Sequence, residues 1–274
     1  MNIKKNSGMK FLALVAALFI PIAAVAQPKP DASKKSAASG EKPAIVLVHG
    51  AFVDGSSWTE VVPLLQKEGY MVTAAQLPLT SFADDVAAAK RVIDSQKGTV
   101  VAVGHSYGGA VITEVASNNP KVKSLVYVAA YAPDIGESVN DLNAKYAKTP
   151  LADALMPDAG GFLFIDPAKF RDVFAKDMSE KMTKVLAATQ KHISNANFAA
   201  TIKDPAWKTL PNWYLVTGED RAVNPELQRF MAKRMGARVT EVKSSHSAML
   251  SKPKDVVKII QEAAKEEPTR VGTK

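Results

Sequence analysis

The chain contains no cysteine at any of its 274 positions. Without thiols it can form neither a disulfide framework nor a lipid-modified cysteine at a mature N-terminus. The same absence excludes zinc sites built from cysteine and histidine, and it excludes a cysteine nucleophile. Stability must therefore come from the hydrophobic core, and any covalent catalysis must come from another side chain.

The sequence also lacks an apolar run of the length that a membrane-spanning helix needs. Its N-terminal run, Phe11 to Ile20, follows a basic stretch that ends at Lys10 and is interrupted by Pro21. This run is short of the roughly 20 residues required to cross a bilayer. Because Ala24-Val25-Ala26 then offers a small-x-small cleavage site, we predict a secretory signal peptide over residues 1–26. The protein is then periplasmic or secreted; an uncleaved membrane anchor is the alternative.

Little positive charge remains once the N-terminal segments are set aside. Of the formal net charge of +8, three charges belong to the signal peptide and a net two to residues 27–42, which leaves +3 for residues 43–274. This near balance gives no electrostatic footprint for nucleic acid. Residues 27–42 contain no aromatic or branched aliphatic residue, and we expect them to be a disordered linker.

Apolar strands and amphipathic helices alternate along residues 43–274. This alternation is interrupted at about residues 131–211, which we interpret as a helical cap without a clear buried strand. A capping box, Ser57-x-x-Glu60, predicts one helix start, and Ser81 predicts the next. The alternation predicts an α/β fold with a doubly wound, roughly six-stranded parallel sheet and a helical cap insertion. The predicted strands cover residues 44–48, 70–76, 100–103, 122–128, 213–217 and 237–242.

One strand of this series ends in a serine flanked by glycines. Gly104-His105-Ser106-Tyr107-Gly108 follows the apolar residues 100–103 and precedes a good helix segment. This is the strand-turn-helix context that a Gly-x-Ser-x-Gly nucleophile elbow requires. We therefore predict Ser106 to be a catalytic nucleophile.

Two further candidates follow later strands. Asp220 and His246 lie just past the fifth and sixth predicted strands, and ligands in open parallel sheets bind at the carboxyl ends of the strands. The chain order serine, aspartate, histidine is the order in which such a sheet delivers a catalytic triad. His246 is the predicted base and Asp220 the residue that orients it; Glu219 and Asp134 are alternatives for the acid.

Backbone N–H groups beside Ser106 are the expected oxyanion donors. Tyr107 begins the helix after the serine, and Ala51 follows the first strand, which neighbours the third if the sheet reverses between them. Phe52 is the alternative to Ala51.

The other histidines and the cap have more ordinary interpretations. His105 is expected to be packed and hydrogen-bonded, His49 to brace the loop after the first strand, and His192 to have no evident partner in the cap. Phe162 to Ile165, together with Met156, form either the core of the cap or a wall of the acyl pocket.

The chain resembles the α/β-hydrolase superfamily over nearly all of residues 43–265. Its small branch of methyl-salicylate-type esterases and hydroxynitrile lyases is the most similar, through residues 46–51 with Trp58, through 104–109, and through 218–220 with Pro225. The resemblance implies a mobile cap, ester or carbonyl chemistry, and no metal or cofactor.

Two positions depart from the lyases of that branch. Those enzymes carry threonine where Gly50 stands and lysine where Ser247 stands, so hydrolysis is favoured over lyase chemistry. Ser106 likewise excludes the dehalogenase and epoxide-hydrolase patterns, which use an aspartate nucleophile. The sequence thus predicts an exported serine carboxylesterase acting on small, uncharged, largely apolar esters. The alternatives are a receptor-like binding protein with little turnover, or cofactor-free perhydrolase or lyase-like activity.

Overall fold

The computed structural model describes residues 42–266. The predicted signal peptide and nearly all of the predicted linker lie outside the described residues. The strands within these residues are β1 Ala44–Val48, β2 Val72–Ala75, β3 Val100–His105, β4 Val122–Val128, β5 Leu155–Pro157, β6 Phe162–Ile165, β7 Ile193–Ser194, β8 Asn212–Thr217 and β9 Arg238–Val242. The α-helices are α1 Val62–Lys67, α2 Phe82–Ser95, α3 Tyr107–Val115, α4 Val139–Asn143, α5 Phe170–Phe174, α6 Glu180–Ala188, α7 Pro225–Arg234, α8 Ala248–Ser251 and α9 Pro253–Lys265.

Six strands form one fully parallel sheet in the order β2-β1-β3-β4-β8-β9. This confirms the predicted doubly wound, six-stranded sheet. The chain runs from β1 outward to β2 and then returns to β3 on the other side of β1. The strand order therefore reverses between β1 and β3, and their carboxyl ends flank the crevice where such sheets bind ligands.

The sheet is buried on both faces because successive side chains of each strand point to opposite sides. Along β1, Val46 and Val48 belong to a core with α2, α3 and α7, whereas Ile45 and Leu47 pack with α1 and α9. All five β1 residues are buried. This explains why β1 is a continuous apolar run in the sequence rather than an alternating one.

The cap is the segment between β4 and β8. It contains α4, α5 and α6, as expected, but also a three-stranded antiparallel sheet of β5, β6 and β7. The prediction of a helical cap without a clear buried strand therefore left this sheet out, and each of its strands is buried at no more than one residue. These strands span two to four residues each, which is too short to produce a visible alternation in the sequence.

The predicted helix starts have mixed outcomes. Ser81 caps α2 by accepting a hydrogen bond from the Asp84 backbone N–H at 3.1 Å, as predicted. The capping box at Ser57 was wrong, because the Ser57 hydroxyl donates to the Asp54 carbonyl at 2.7 Å. A short 3-10 helix, Gly55–Trp58, occupies this position with Asp54 as its cap, and α1 begins only at Val62.

Replacing Leu47 with alanine tests the role of the central strand. Leu47 is fully buried in β1, so Leu47→Ala should lower the free energy of unfolding by about 2–5 kcal/mol. Met71, which is 75% exposed just before β2, provides the control, and Met71→Ala should change stability by less than about 0.5 kcal/mol. Denaturant unfolding of both variants measures the difference. Equal effects would contradict the assignment of β1 to the core.

Candidate active site

The turn between β3 and α3 holds Ser106 in a strained conformation. Its φ of +52° with ψ of −125° lies outside the regions that residues with a Cβ normally occupy. The neighbouring strand enforces this conformation, because the Ser106 N–H donates to the Val128 carbonyl at 3.2 Å and the Tyr131 N–H donates to the Ser106 carbonyl at 3.0 Å. Strain of this kind persists where surrounding structure over-determines it.

Two glycines allow this turn to approach the loop after β1. A Cβ on Gly108 would lie 2.6 Å from the carbonyl oxygens of both Val48 and His49. A Cβ on Gly50 would lie 2.7 Å from the Ser106 Cβ. Because these contacts are closer than real Cβ atoms show, glycine is required at both places for α3 and the β1 loop to meet beside the serine.

The structure brings His246 and Asp220 together in the interior. The imidazole Nδ1 lies 2.7 Å from Asp220 Oδ2, and both side chains are almost completely buried. In the neutral imidazole, an Nδ1–H that donates to this carboxylate places the lone pair on Nε2. Within residues 42–266, His246 Nε2 makes no hydrogen bond.

Sequence reasoning missed the groups that hold Asp220. Its Oδ2 also accepts hydrogen bonds from the Thr217 hydroxyl at 2.8 Å and the Gln228 amide at 2.9 Å. Its Oδ1 accepts from the backbone N–H groups of Ala222 at 2.7 Å and Val223 at 2.9 Å. Gln228 lies one helical turn inside α7, beside Leu227 and three residues before Met231. A glutamine on the apolar face of a helix was the sequence signal that could have identified it.

The two alternative carboxylates lie elsewhere. The Asp134 carboxylate pairs with Lys208 at 2.5 Å, and this pair together with the Ile135 N–H lowers the pKa of Asp134 despite the opposing effect of burial. The Glu219 side chain is half exposed and lies 3.6 Å from Lys243. Asp220 is therefore the carboxylate that contacts His246.

Ser106 and His246 line the same cavity, whose volume is about 170 Å³. In the described part of the chain, no hydrogen bond joins the Ser106 hydroxyl to the imidazole. Such bonds are often long in enzymes without substrate and tighten in the substrate complex. The lining residues are mainly apolar or amide-bearing and are Ala51, Phe52, Ser106, Tyr131, Asn140, Asn143, Tyr146, Ala147, Lys148, Thr149, Leu151, Ala152, Leu155, Leu163, Phe174, Asn195, Phe198, Ala222, Val223, Asn224 and His246.

The predicted oxyanion donors lie at the two turns that meet beside the serine. Tyr107 is the first residue of α3, where backbone N–H groups lack partners within the helix. Ala51 and its alternative Phe52 both line the cavity, and Phe52 has a φ of +65° in the turn after β1. Their role as donors stays a prediction.

His49 braces the loop after β1, as expected. Its Nδ1 donates to the Gly50 carbonyl at 2.8 Å, and its Nε2 accepts from the Leu77 backbone N–H at 3.0 Å. Burial lowers the pKa of His49 to about 4. The imidazole is therefore neutral at pH 7, with one nitrogen as donor and the other as acceptor.

His105 is fully buried, also as expected. Its Nε2 donates to the backbone carbonyl of His246 at 3.0 Å, and the two rings lie 4.6 Å apart. Burial, together with the proximity of His246, lowers the pKa of His105 well below its ordinary value. His105 is therefore a neutral support for the backbone of His246.

The cap residues divide between the two interpretations offered above. Leu163 lines the cavity, Ile165 is buried in the core, and Met156 is 43% exposed. The prediction that His192 has no partner was wrong, because its Nδ1 lies 2.9 Å from Asp158 Oδ2 and its ring stacks on Phe164 at 4.8 Å. Asp158 belongs to the β5–β6 turn, which the sequence did not reveal.

The residues described, 42–266, contain no group of three or more histidines and carboxylates placed to hold a metal ion. In the same range, no helix is long and apolar enough to cross a membrane.

The buried neutral state of His49 predicts a pH dependence of stability. The pKa of about 4 in the folded protein lies below the ordinary 6.5, so the unfolded chain binds a proton first as the pH falls. Stability is therefore complete above about pH 6.5 and decreases toward pH 4, by at most about 3 kcal/mol from this residue. Unfolding measured between pH 4 and 7 should show a smaller decrease for His49→Gln. Identical pH dependence in both proteins would contradict the assignment.

The sequence matches the alpha/beta hydrolase family over residues 45–259. An alpha/beta hydrolase from Aspergillus novofumigatus is 29% identical over 248 residues, covering 82% of this chain and 98% of the relative. Methylesterase 7 from Arabidopsis thaliana is 28% identical over 249 residues, covering 80% and 95%. A pyrethroid hydrolase from Sphingobium faniae has a similar crystal structure, with a TM-score of 0.69, 25% identity, and coverage of 81% and 97%. With this geometry and these relatives, the chain belongs to the alpha/beta hydrolase family.

Proposed function

We propose that this protein is a serine carboxylesterase that hydrolyses small, uncharged, largely apolar esters through an acyl-enzyme. One observation carries the proposal: Ser106, at a strained turn, shares a cavity with His246, whose Nδ1 is bound to buried Asp220. These are the nucleophile, base and orienting acid of a serine hydrolase. Relatives named as methylesterases support ester chemistry.

Acylation uses the free lone pair of His246. As the Ser106 oxygen bonds to the ester carbonyl carbon, Nε2 accepts the hydroxyl proton, and Asp220 stabilises the imidazolium that forms. The bond from the carbonyl carbon to the alcohol oxygen then breaks, and His246 returns the proton to the leaving alkoxide. A water molecule repeats these steps on the acyl-enzyme and releases the carboxylic acid.

The negative charge on the carbonyl oxygen requires donors beside the serine. We assign the Tyr107 and Ala51 backbone N–H groups to this role, with Phe52 as the alternative to Ala51. The first turn of α3 adds the positive end of its dipole. The close approach of these two turns at Gly50 and Gly108 supports donors that are in position before any substrate arrives.

The cavity supports a small substrate without charge. Its volume of about 170 Å³ is close to that of a roughly 150 Å³ engineered protein cavity that binds benzene. Phe52, Phe174 and Phe198 line it, no carboxylate does, and the one lysine, Lys148, lies in its exposed part. Short acyl groups and small alcohols fit such a space.

The proposed location is outside the cytoplasm. It rests on the order of basic residues, apolar run and small-x-small site within residues 1–26. Sequencing the N-terminus of the protein recovered from a periplasmic or culture fraction tests this directly. An N-terminus that still carries residues 1–26 in that fraction would contradict cleavage.

Removing the nucleophile gives the decisive test of the proposed reaction. Ser106→Ala should lower kcat on p-nitrophenyl acetate and butyrate by about 10³-fold or more, because alanine has no hydroxyl that could attack the ester. Ser95→Ala, which changes an exposed hydroxyl at the end of α2, is the matched control and should retain full activity. Unchanged turnover in Ser106→Ala would exclude this serine. Tight ligand binding with negligible hydrolysis in the wild-type protein would favour the receptor-like alternative.

If Asp220 is the acid of the site, substitutions at the three candidate carboxylates should have different effects on kcat. Asp220→Asn should reduce kcat by about 10⁴-fold with little change in KM, because the amide no longer holds His246 in the correct tautomer. Glu219→Gln and Asp134→Asn should leave kcat within about threefold of the wild type, because neither carboxylate contacts His246. Steady-state kinetics on p-nitrophenyl butyrate decide between them, and a large loss in either control variant would reassign the acid.

A further inference from the structure

Three serines flank the histidine of the site in the sequence Ser244-Ser245-His246-Ser247. All three are buried, with exposures of 0%, 4% and 0%. Buried hydroxyl groups need hydrogen-bond partners. All three serines have a partner in one short stretch of the cap, residues 174–177, at the end of α5 and just beyond it.

Asp177 is the main acceptor in this stretch. Its Oδ2 lies 3.0 Å from the Ser244 hydroxyl and accepts the Ser245 backbone N–H at 3.1 Å. Its Oδ1 accepts the Ser245 hydroxyl. One carboxylate thus contacts the two residues that precede the catalytic histidine.

Phe174 completes the contact from the other side of the histidine. Its backbone carbonyl accepts the Ser247 hydroxyl at 3.0 Å, and its ring meets the His246 ring edge to face at 4.8 Å. The same ring lines the cavity. The cap therefore contacts residues 244–247, the histidine loop, before, at and after His246.

The Asp177 carboxylate has no competing role in the described part of the chain. It forms no salt bridge there, although Asp172 and Glu180 nearby both pair with cations. Burial raises the pKa of Asp177, but hydrogen bonds from Ser245 and neighbouring serines outweigh this and lower it. The group is therefore ionised at neutral pH, and hydrogen bonds to an ionised acceptor are about twice as strong as neutral ones.

Contacts outside the cap also hold the imidazole and its loop. Asp220 holds its Nδ1, and His105 holds its backbone carbonyl. On the N-terminal side, the Glu219 N–H donates to the Ser244 carbonyl at 3.1 Å, whereas the Ser245 N–H and hydroxyl are bound by Asp177 of the cap. A displacement of about 1 Å in a catalytic group costs on the order of 100-fold in rate, so the contact with the cap at Ser245 bears on the position of the base.

We propose that Asp177 is a positioning residue for His246, through which the cap takes part in the chemical step as well as enclosing the substrate. The proposal rests on the serine esterase function proposed above. Asp177 touches no reacting atom; it acts by holding Ser244 and Ser245. Its loss therefore acts on proton transfer and leaves substrate binding in place.

Steady-state kinetics on p-nitrophenyl butyrate test this role. Asp177→Ala should lower kcat by about 10- to 100-fold with KM within about twofold of the wild type. Glu180→Ala removes another acidic cap residue, whose contact is with Lys184, and should leave both constants unchanged. A Tm within a few degrees for both variants shows that the cap has remained folded.

Measuring the effect of Asp177→Ala in the absence of the Ser244 and Ser245 hydroxyls distinguishes positioning of His246 from a general effect on the cap. In a Ser244→Ala/Ser245→Ala background, the additional Asp177→Ala change should lower kcat by a smaller factor than in the wild-type background, because both hydroxyl contacts are already gone and the Ser245 backbone N–H is the contact to this loop that is still present. An unchanged kcat in Asp177→Ala, or a full additional loss in the combined variant, would overturn the proposal. If the wild-type protein itself shows no hydrolysis that depends on Ser106, the esterase function has failed instead.

Discussion

The contact between α3 and the loop after β1 is the constraint on which the site depends. It exists because the sheet reverses its order between β1 and β3, so that the ends of these strands lie side by side. Gly108 makes the approach possible, since a Cβ there would strike the carbonyls of Val48 and His49. Once the two turns meet, Ser106 lies at the cavity that Ala51 and Phe52 of the other turn also line, and the N–H groups of both turns are the oxyanion donors that we propose.

The polar groups around this contact are buried, and most of their donor and acceptor atoms are hydrogen-bonded. His49 and His105 are neutral because burial opposes a charge, and both donate to backbone carbonyls of the site. Asp220 is buried with hydrogen bonds from five different groups, including His246. A buried network is stabilising only when its members are satisfied. Among the described residues, two imidazole nitrogens of this group lack a partner, His105 Nδ1 and His246 Nε2. Of the two histidines, His246 lines the cavity with Ser106, and its Nε2 is therefore the nitrogen to which we assign the proton transfer.

Local sequence patterns predicted the bounds of an element correctly where contacts with the rest of the chain do not favour a different conformation. The bounds of β1 and β4 agree with prediction, and Ser81 caps its helix. The Ser57 capping box failed because a preceding residue, Asp54, was the better acceptor for the first turn. The cap sheet was missed because strands of two to four residues are stabilised by pairing across the chain, which leaves no periodic pattern within any one of them.

The sequence by itself determined the parallel sheet and the order of the three catalytic candidates, because continuous apolar strands and a glycine-flanked serine are local patterns. It left Asp220, Glu219 and Asp134 as competitors for the acid. Only the tertiary structure separated them, since hydrogen-bond distance to an imidazole 26 residues further along the chain depends on how β8 and β9 pack. The hydrogen bonds between Asp177 and the histidine loop could likewise not be predicted from the sequence. It joins residues 68 positions apart, and only the folding of the cap onto the sheet brings them into contact.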